Sequence, residues 1–322
     1  MNSIFLLNTG DSSAQGTPIL EAHFNLWMAG NIRFLDIGLK LEANRELELY
    51  LPWKDAKIEE LYDRIKHGDV LNAIFNQHLD VTTSTSAQWT TVSCGSNKFD
   101  VMEADVTTTA FKLTNSANNH EFTKVTIKRA HSTQNIAYVR LRATGFAANV
   151  FDKEHIATGA FLNPHREVTE AIDFRVNEIR TVQPTGFGKG AFSTPEIGKL
   201  HFFLLKSFHV TSLLSSPPYF RCRELEDKAW EKYLPPSSNK QDDAILAYHW
   251  KRIDQQKVNA GEHFSVLATF GEKKTSWWIV LLYVAVIIVL NLASSFAYDK
   301  LKHDEQTTCS KEQMTLPKES CK

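Results

Sequence analysis

Residues 277–296, "WWIVLLYVAVIIVLNLASSF", hold twenty positions without one charged side chain. As an α-helix, rising about 1.5 Å per residue, such a run is about 30 Å long, the thickness of a bilayer's hydrocarbon core. Trp277 and Trp278 stand at one end and Tyr298 at the other, where interfacial aromatic residues belong. Lys273 and Lys274 precede the run, and Lys300 and Lys302 follow it. Core helices of soluble proteins seldom stay uncharged for this long. The pattern predicts a transmembrane helix over 276–298, anchored by Trp277, Trp278 and Tyr298, with a short polar tail over 299–322.

Within the span, Asn291 is the one polar side chain that is costly in hydrocarbon unless it finds a partner. At helical spacing it shares a face with Ser294 and Ser295. A contact between copies of the span through Asn291, Ser294 and Ser295 would satisfy the amide, at about 0.6–2 kcal/mol per hydrogen bond. Reach to the nearby interface is the competing explanation. The Lys and Arg count on the two sides of the span is too even to orient it. The N-terminal "MNSIFLLNTGDSS" has a four-residue apolar run and no basic region before it, unlike a signal peptide. The expectation is therefore a single-pass protein of the cell inner membrane with its N-terminal domain in the cytoplasm. Cys309 and Cys321 would then lie on the far side, paired or free.

The chain as a whole has the composition of one that buries a core, 43 % hydrophobic and 23 % charged. With 36 basic against 37 acidic residues it carries no overall footprint for nucleic acid. Residues 1–215 read as a β-rich domain. "ILEAHFNLWMAG" and "NIRFLDIGLKLE" meet at Gly30-Asn31 as a hairpin, and "RELELYLPW" alternates polar and apolar residues. "DAKIEELYDRIKHG" shows helical spacing, with Asp55 as its cap and Gly68 as its stop, and "DVLNAIFNQ" is a second short helix. Thr- and Val-rich runs across 78–143, then "AIDFRVNEIRTV" and "GKLHFFLLKSFHV", predict further strands. "SSPPYF" marks a boundary, after which 216–275 reads as a helical connector. In it, Ile245, Leu246, His249, Trp250 and Ile253 form one stripe, capped by Asp242 or Asp243. The predicted fold class is mainly β with α: an antiparallel β-sandwich-like cytoplasmic domain, a helical segment and one C-terminal transmembrane helix.

Catalytic signatures are missing. "PTGFGKGAF", with Gly186, Gly188, Lys189 and Gly190, resembles a phosphate loop in composition but not in spacing, and joins strands. "VSCGS" around Cys94 lacks a nucleophile elbow and reads as a strand end entering a turn. No H-E-x-x-H or C-x-x-C occurs. His155 and His165, near Glu154, Glu167 and Glu170, would form a metal site only if the fold gathered them; surface histidines are the default. Arg175, Glu178 and Arg180 fit a solvated strand face with cross-strand ion pairs better than an anion site. The expectation is a non-enzyme without catalytic residue, metal or cofactor. Its partners would be the lipid bilayer, other copies of itself and a protein, not nucleic acid.

"YHWKRIDQQKV", a short β-like segment and a single C-terminal span, together about 50 residues around 245–296, resemble transmembrane effector proteins of bacterial anti-phage systems, retron systems among them. The resemblance implies a toxin-like protein held inactive by partners, which permeabilises the inner membrane on infection and kills the host cell. It carries no functional residue across. A membrane-tethered adaptor without toxicity is the alternative, and an enzyme without a local signature the third possibility.

Overall fold

The computed structural model describes residues 3–8, 19–30, 32–42, 46–83, 89–114, 119–128, 134–156, 165–178, 194–235, 244–253, 263–275 and 277–313. In chain order the first elements are β1 (Ser3–Asn8), β2 (Ile19–Ala29), β3 (Ile32–Glu42), β4 (Leu47–Leu51) and β5 (Lys57–Glu60). Two short helices follow, α1 (Tyr62–Ile65) and α2 (Gly68–Phe75). Then come β6 (Asp80–Thr83), β7 (Trp89–Cys94), β8 (Asn97–Met102), β9 (Val106–Thr114), β10 (Asn119–Ile127), β11 (Ile136–Thr144) and β12 (Asp152–Ile156). The last group is β13 (His165–Val176), β14 (Ile197–Ser207), β15 (Thr211–Ser216), β16 (Arg221–Glu224), α3 (Asp227–Trp230), β17 (Ile245–Ile253), β18 (Phe264–Thr275) and α4 (Trp277–Gln313).

These residues divide into two compact units, Met1–His155 with Thr169–Glu272, and Ile156–Val168 with Lys273–Lys322. The first is built on two mixed sheets. The smaller runs β15-β18-β13-β1-β4-β10-β9, with β12 beside β13; the larger runs β16-β17-β14-β2-β3-β11-β8-β7-β6, with β5 beside β11. Apolar residues of both sheets share one core, in which Phe174 of β13 stacks on Phe202 of β14 at 4.0 Å between ring centroids. The expected β-sandwich is present, but it is not purely antiparallel. β1 runs parallel to β13, β2 to β14 and β8 to β11. β2 and β14 sit side by side at the centre, where both are largely buried on both faces, as parallel strands are.

Their second face is covered by the three short helices. Trp27 of β2 meets Trp230 and Tyr233, and Ile65, Leu71 and Ile74 of α1 and α2 join the same apolar cluster. A buried polar network runs through this layer. Asp36 of β3 accepts Arg142 Nε at 2.7 Å and Nη2 at 3.2 Å, Trp27 Nε1 at 2.9 Å and the Tyr233 hydroxyl at 2.5 Å. Asp36 and Arg142 are both fully enclosed, with Arg142 lying 3.8 Å from the centre of the Phe34 ring.

Several sequence expectations need correction. The 216–275 segment is not a helical connector, since β16, β17 and β18 occupy most of its described residues and α3 is a single turn. "SSPPYF" is no domain boundary either, because the strands beyond it return to the same two sheets. In β17, Leu246, Tyr248 and Trp250 enter the inter-sheet core while Ile245 and Ala247 enter the helix-covered layer. A strand buried on both faces loses its alternation, and its apolar positions then mimic a helical stripe. Residues 55–68 likewise split into β5, paired with β11, and the one-turn α1. Asp55 takes a left-handed backbone (φ 54°) and caps nothing there, while Gly68 opens α2 instead of ending a helix. The helix at "DVLNAIFNQ" forms as expected and ends on left-handed Asn76. The polar tail continues α4 as far as Gln313. Asn31, Asp242, Asp243, the 186–190 glycine loop and Cys321 lie outside the described residues, as does the Cys309 side chain.

β5 also carries a pH-sensitive group. Burial, joined by the charges of Glu103 and Asp63, pushes the Glu60 carboxyl up to about 7 from an ordinary 4.5. The folded state therefore holds a proton that the unfolded chain has released, and stability contributed by Glu60 falls as pH rises from about 4.5 to about 7. The Glu60→Gln variant should lack this component. Its denaturation midpoint, compared with the parent's, is expected to gain across that window and to stay level above it. A constant difference at all pH values would exclude the assignment.

Candidate functional site

β2, β14 and β17 lie side by side in the larger sheet, and their register lines up a set of polar residues. Glu21 is the partner of Lys199, His23 of His201, His201 of Lys251, and Phe203 of His249. Alternation sends Phe24, Phe202 and Trp250 into the inter-sheet core. It leaves Glu21, His23, His201, His249 and Lys251 on the opposite face, where Phe75 and Asn76 at the end of α2 and Arg221 and Arg223 of β16 complete a cavity of about 290 Å³.

The polar groups of this cavity are connected. His23 Nε2 lies 3.0 Å from Glu21 Oε1, and His201 Nε2 lies 3.4 Å from the same oxygen. His201 Nδ1 and His249 Nε2 are 3.0 Å apart. On the inner side His23 Nδ1 is 3.1 Å from the Tyr138 hydroxyl, which accepts a bond from Arg140 Nη1 at 2.9 Å. Arg140 Nε donates to the Tyr233 hydroxyl at 2.7 Å, and Tyr233 donates to Asp36. A continuous polar path thus joins the cavity to the buried Asp36–Arg142 pair. Gly38 of β3 makes it possible, because a Cβ there would occupy the position of the Tyr138 hydroxyl.

Burial governs the protonation of the three rings. It lowers His23, lowers His201 to about 4 with help from the His23 charge, and lowers His249 to about 3 with help from His201. Burial acts to raise the Glu21 carboxyl, but the His23 hydrogen bond and surrounding positive charge hold it below the usual carboxylate range. Near neutral pH the cavity therefore presents neutral imidazoles and one carboxylate. Glu21, His23 and His201 each bring a ligand atom within 4.8 Å of the others, a spacing that could hold a metal ion. Around them, Lys199, Arg221 and Lys251 have no carboxylate partner among the described residues, and Lys251 lies over the Phe220 ring at 3.6 Å. The arrangement can receive an anionic ligand with an apolar portion against Phe75, Phe203 or Phe220.

The histidines proposed from sequence are not those of the cavity. His155 and Glu154 are exposed on β12, Glu170 is engaged by Lys206, and the side chains of His165 and Glu167 lie outside the described residues. Arg175 pairs with Asp173 along its own strand, and Glu178 is buried with His263 at 3.5 Å; Arg180 lies outside the described residues. Cys94 ends β7 at a tight turn on Gly95 (φ 59°), as expected, and is not oxidised to a disulfide. The signal for the cavity was present in Glu21-x-His23, since residues two apart on a strand share a face. His249 was hidden by the helical reading of β17.

In the second unit, α4 contains one stretch, Val280–Lys302, long and apolar enough to cross a membrane, with a mean hydropathy of 2.4 in its best window and none of that window buried. A core helix would be buried, so the exposure favours membrane anchoring. Trp278 and Tyr298 are exposed, and so are Asn291, Ser294 and Ser295; the Trp277 side chain lies outside the described residues. Compared with known protein families and with characterised proteins, the chain matches no family model and no curated sequence.

Proposed function

We propose that the chain is a single-pass, membrane-anchored effector of an anti-phage defence system, resident in the cell inner membrane with its β domain in the cytoplasm. The observation that carries this reading is the unburied apolar helix Val280–Lys302. In this account the β domain senses a ligand or protein partner, and spans brought together as a homo-oligomer perturb the bilayer. The cavity on β2, β14 and β17 supplies the ligand site, and its cations Lys199, Arg221 and Lys251 select an anion. A tethered binding protein without toxicity is the second reading, favoured by the same cavity because ligand capture alone would explain it.

Membrane potential separates the two. Bacteria expressing the full chain are expected to depolarise when the ligand or infection is supplied, whereas a version truncated after Thr275 is not. Depolarisation by neither, under infection, would leave the tethered binder.

Self-association is tested at Asn291. A side-chain amide bond between spans contributes about 0.6–2 kcal/mol, so Asn291→Leu should leave insertion intact while weakening multimers by about threefold to thirtyfold. Crosslinking in membranes, run across a dilution series, reads the difference. Identical ladders for parent and variant would remove Asn291 from the interface.

A further inference from the structure

The cavity contains a buried atom that the protein itself does not satisfy. His201 Nε2 has no hydrogen-bond partner among the described residues, although Glu21 Oε1 lies 3.4 Å away. When His201 donates from Nδ1 to His249, its Nε2 lone pair faces a carboxylate oxygen, an unfavourable meeting of two electron-rich atoms. A cation between them converts it into an attraction. We infer that Glu21, His23 and His201 bind a divalent transition-metal ion of the zinc class, with the remaining coordination position open to the cavity.

The spacing fits. Ligand atoms about 2.0–2.1 Å from a common ion are about 3.0 Å apart at a right angle and about 3.4 Å apart at a tetrahedral one. Here the two imidazole Nε2 atoms lie 3.0 and 3.4 Å from Glu21 Oε1. The donor set of two imidazoles and one carboxylate, with a vacant position, is that of ions that bind substrate or water and not of closed structural sites. The opposite nitrogen of each ring is already held, His23 Nδ1 by the Tyr138 hydroxyl and His201 Nδ1 by His249. Such outer partners orient metal-binding imidazoles and set their tautomer. Binding displaces the His23 proton from Nε2 to Nδ1, facing Tyr138, so the ring stays neutral.

The surrounding lysines and arginines weigh against a second positive charge in the cavity. They also explain the open position. An anion reaching the ion from the cavity side would neutralise both, so the inference deepens the anion-site reading given above while being testable without it.

The test uses the full chain in detergent micelles, stripped with a chelator and titrated with Zn2+ against a chromophoric competitor, and with Co2+ followed by visible absorption. One equivalent of Zn2+ is expected, with a Co2+ spectrum that Zn2+ bleaches. His201→Ala should weaken binding at least about 100-fold and His249→Ala, an outer partner, about 10–100-fold. Glu21→Gln keeps the shape of the side chain and should weaken binding as strongly as His201→Ala. His155→Ala should change nothing. Circular dichroism verifies the fold of each variant. Absence of stoichiometric metal, or a parent-like affinity in the folded Glu21→Gln and His201→Ala proteins, overturns the inference. Phenyl phosphate is then titrated into the stripped protein. Binding there, with no metal bound in the first experiment, would retain the anion site while rejecting the ion.

Discussion

Replacement of Asp36 by alanine is expected to destabilise the β domain by about 3–5 kcal/mol, the effect of leaving one member of a buried ion pair uncompensated. Folded domains are commonly stable by only about 5–15 kcal/mol, so a large part of the margin is at stake. The cause is specific. Asp36 accepts four hydrogen bonds, two from Arg142 and one each from Trp27 and Tyr233. Removing it strands a guanidinium that has no route to water, together with an indole N–H and a phenol. Urea denaturation followed by tryptophan fluorescence should show the loss as a lowered midpoint. The double change Asp36→Leu with Arg142→Met removes both charges and restores apolar volume, so it should recover most of the stability. A loss below about 1 kcal/mol for Asp36→Ala would mean that solvent reaches Arg142, contrary to its enclosure.

The second large effect concerns the span. Val286 and Leu290 lie near its middle, four residues apart on one face. A lysine at the centre of a spanning helix costs about 2.5–3.5 kcal/mol on insertion scales, so the Val286→Lys, Leu290→Lys protein should lose about 5–7 kcal/mol of insertion free energy. After alkaline extraction the parent chain is expected in the membrane pellet and the double variant in the supernatant. Retention of the variant in the pellet would mean that α4 is held by protein or by the interface instead of by hydrocarbon. Asn291→Leu, which removes a polar group, should stay in the pellet and thereby serves as the control for altered helix chemistry.

The strands were legible where composition and alternation agreed. β2, β3, β4 and β14 lie where Ile, Phe and Leu alternate or run together between turn residues, and α4 follows from length and hydropathy alone. The mixed pairing was not legible, because parallel and antiparallel neighbours place the same side chains on the same faces. β17 failed for a related reason: with Tyr248 and Trp250 buried on one side and Ile245 and Ala247 on the other, no face is polar enough to show a period of two. The candidate site was still less visible. Glu21, His23, His201 and His249 come from three strands separated by up to 228 positions, and the parallel pairing of β2 with β14 together with the antiparallel pairing of β14 with β17 brings them together. The ligand-type residues that lie close in sequence are those around His155, which is exposed to solvent.

That parallel pairing has a further meaning for synthesis. β1 adjoins β13 through Ser3 and Arg175, and β2 adjoins β14 through Ile19 and Ile197. Strands at the centre of both sheets are made early and gain their second neighbours, β13 and β14, only after more than 150 further residues have left the ribosome. Until then the nascent chain carries apolar strands with open edges, the form of intermediate that associates with its own kind. Closing such distant pairs is also slow. A premature stop anywhere before β14 would thus release neither a smaller domain nor a soluble fragment, but unfinished sheet for chaperones and proteases to remove.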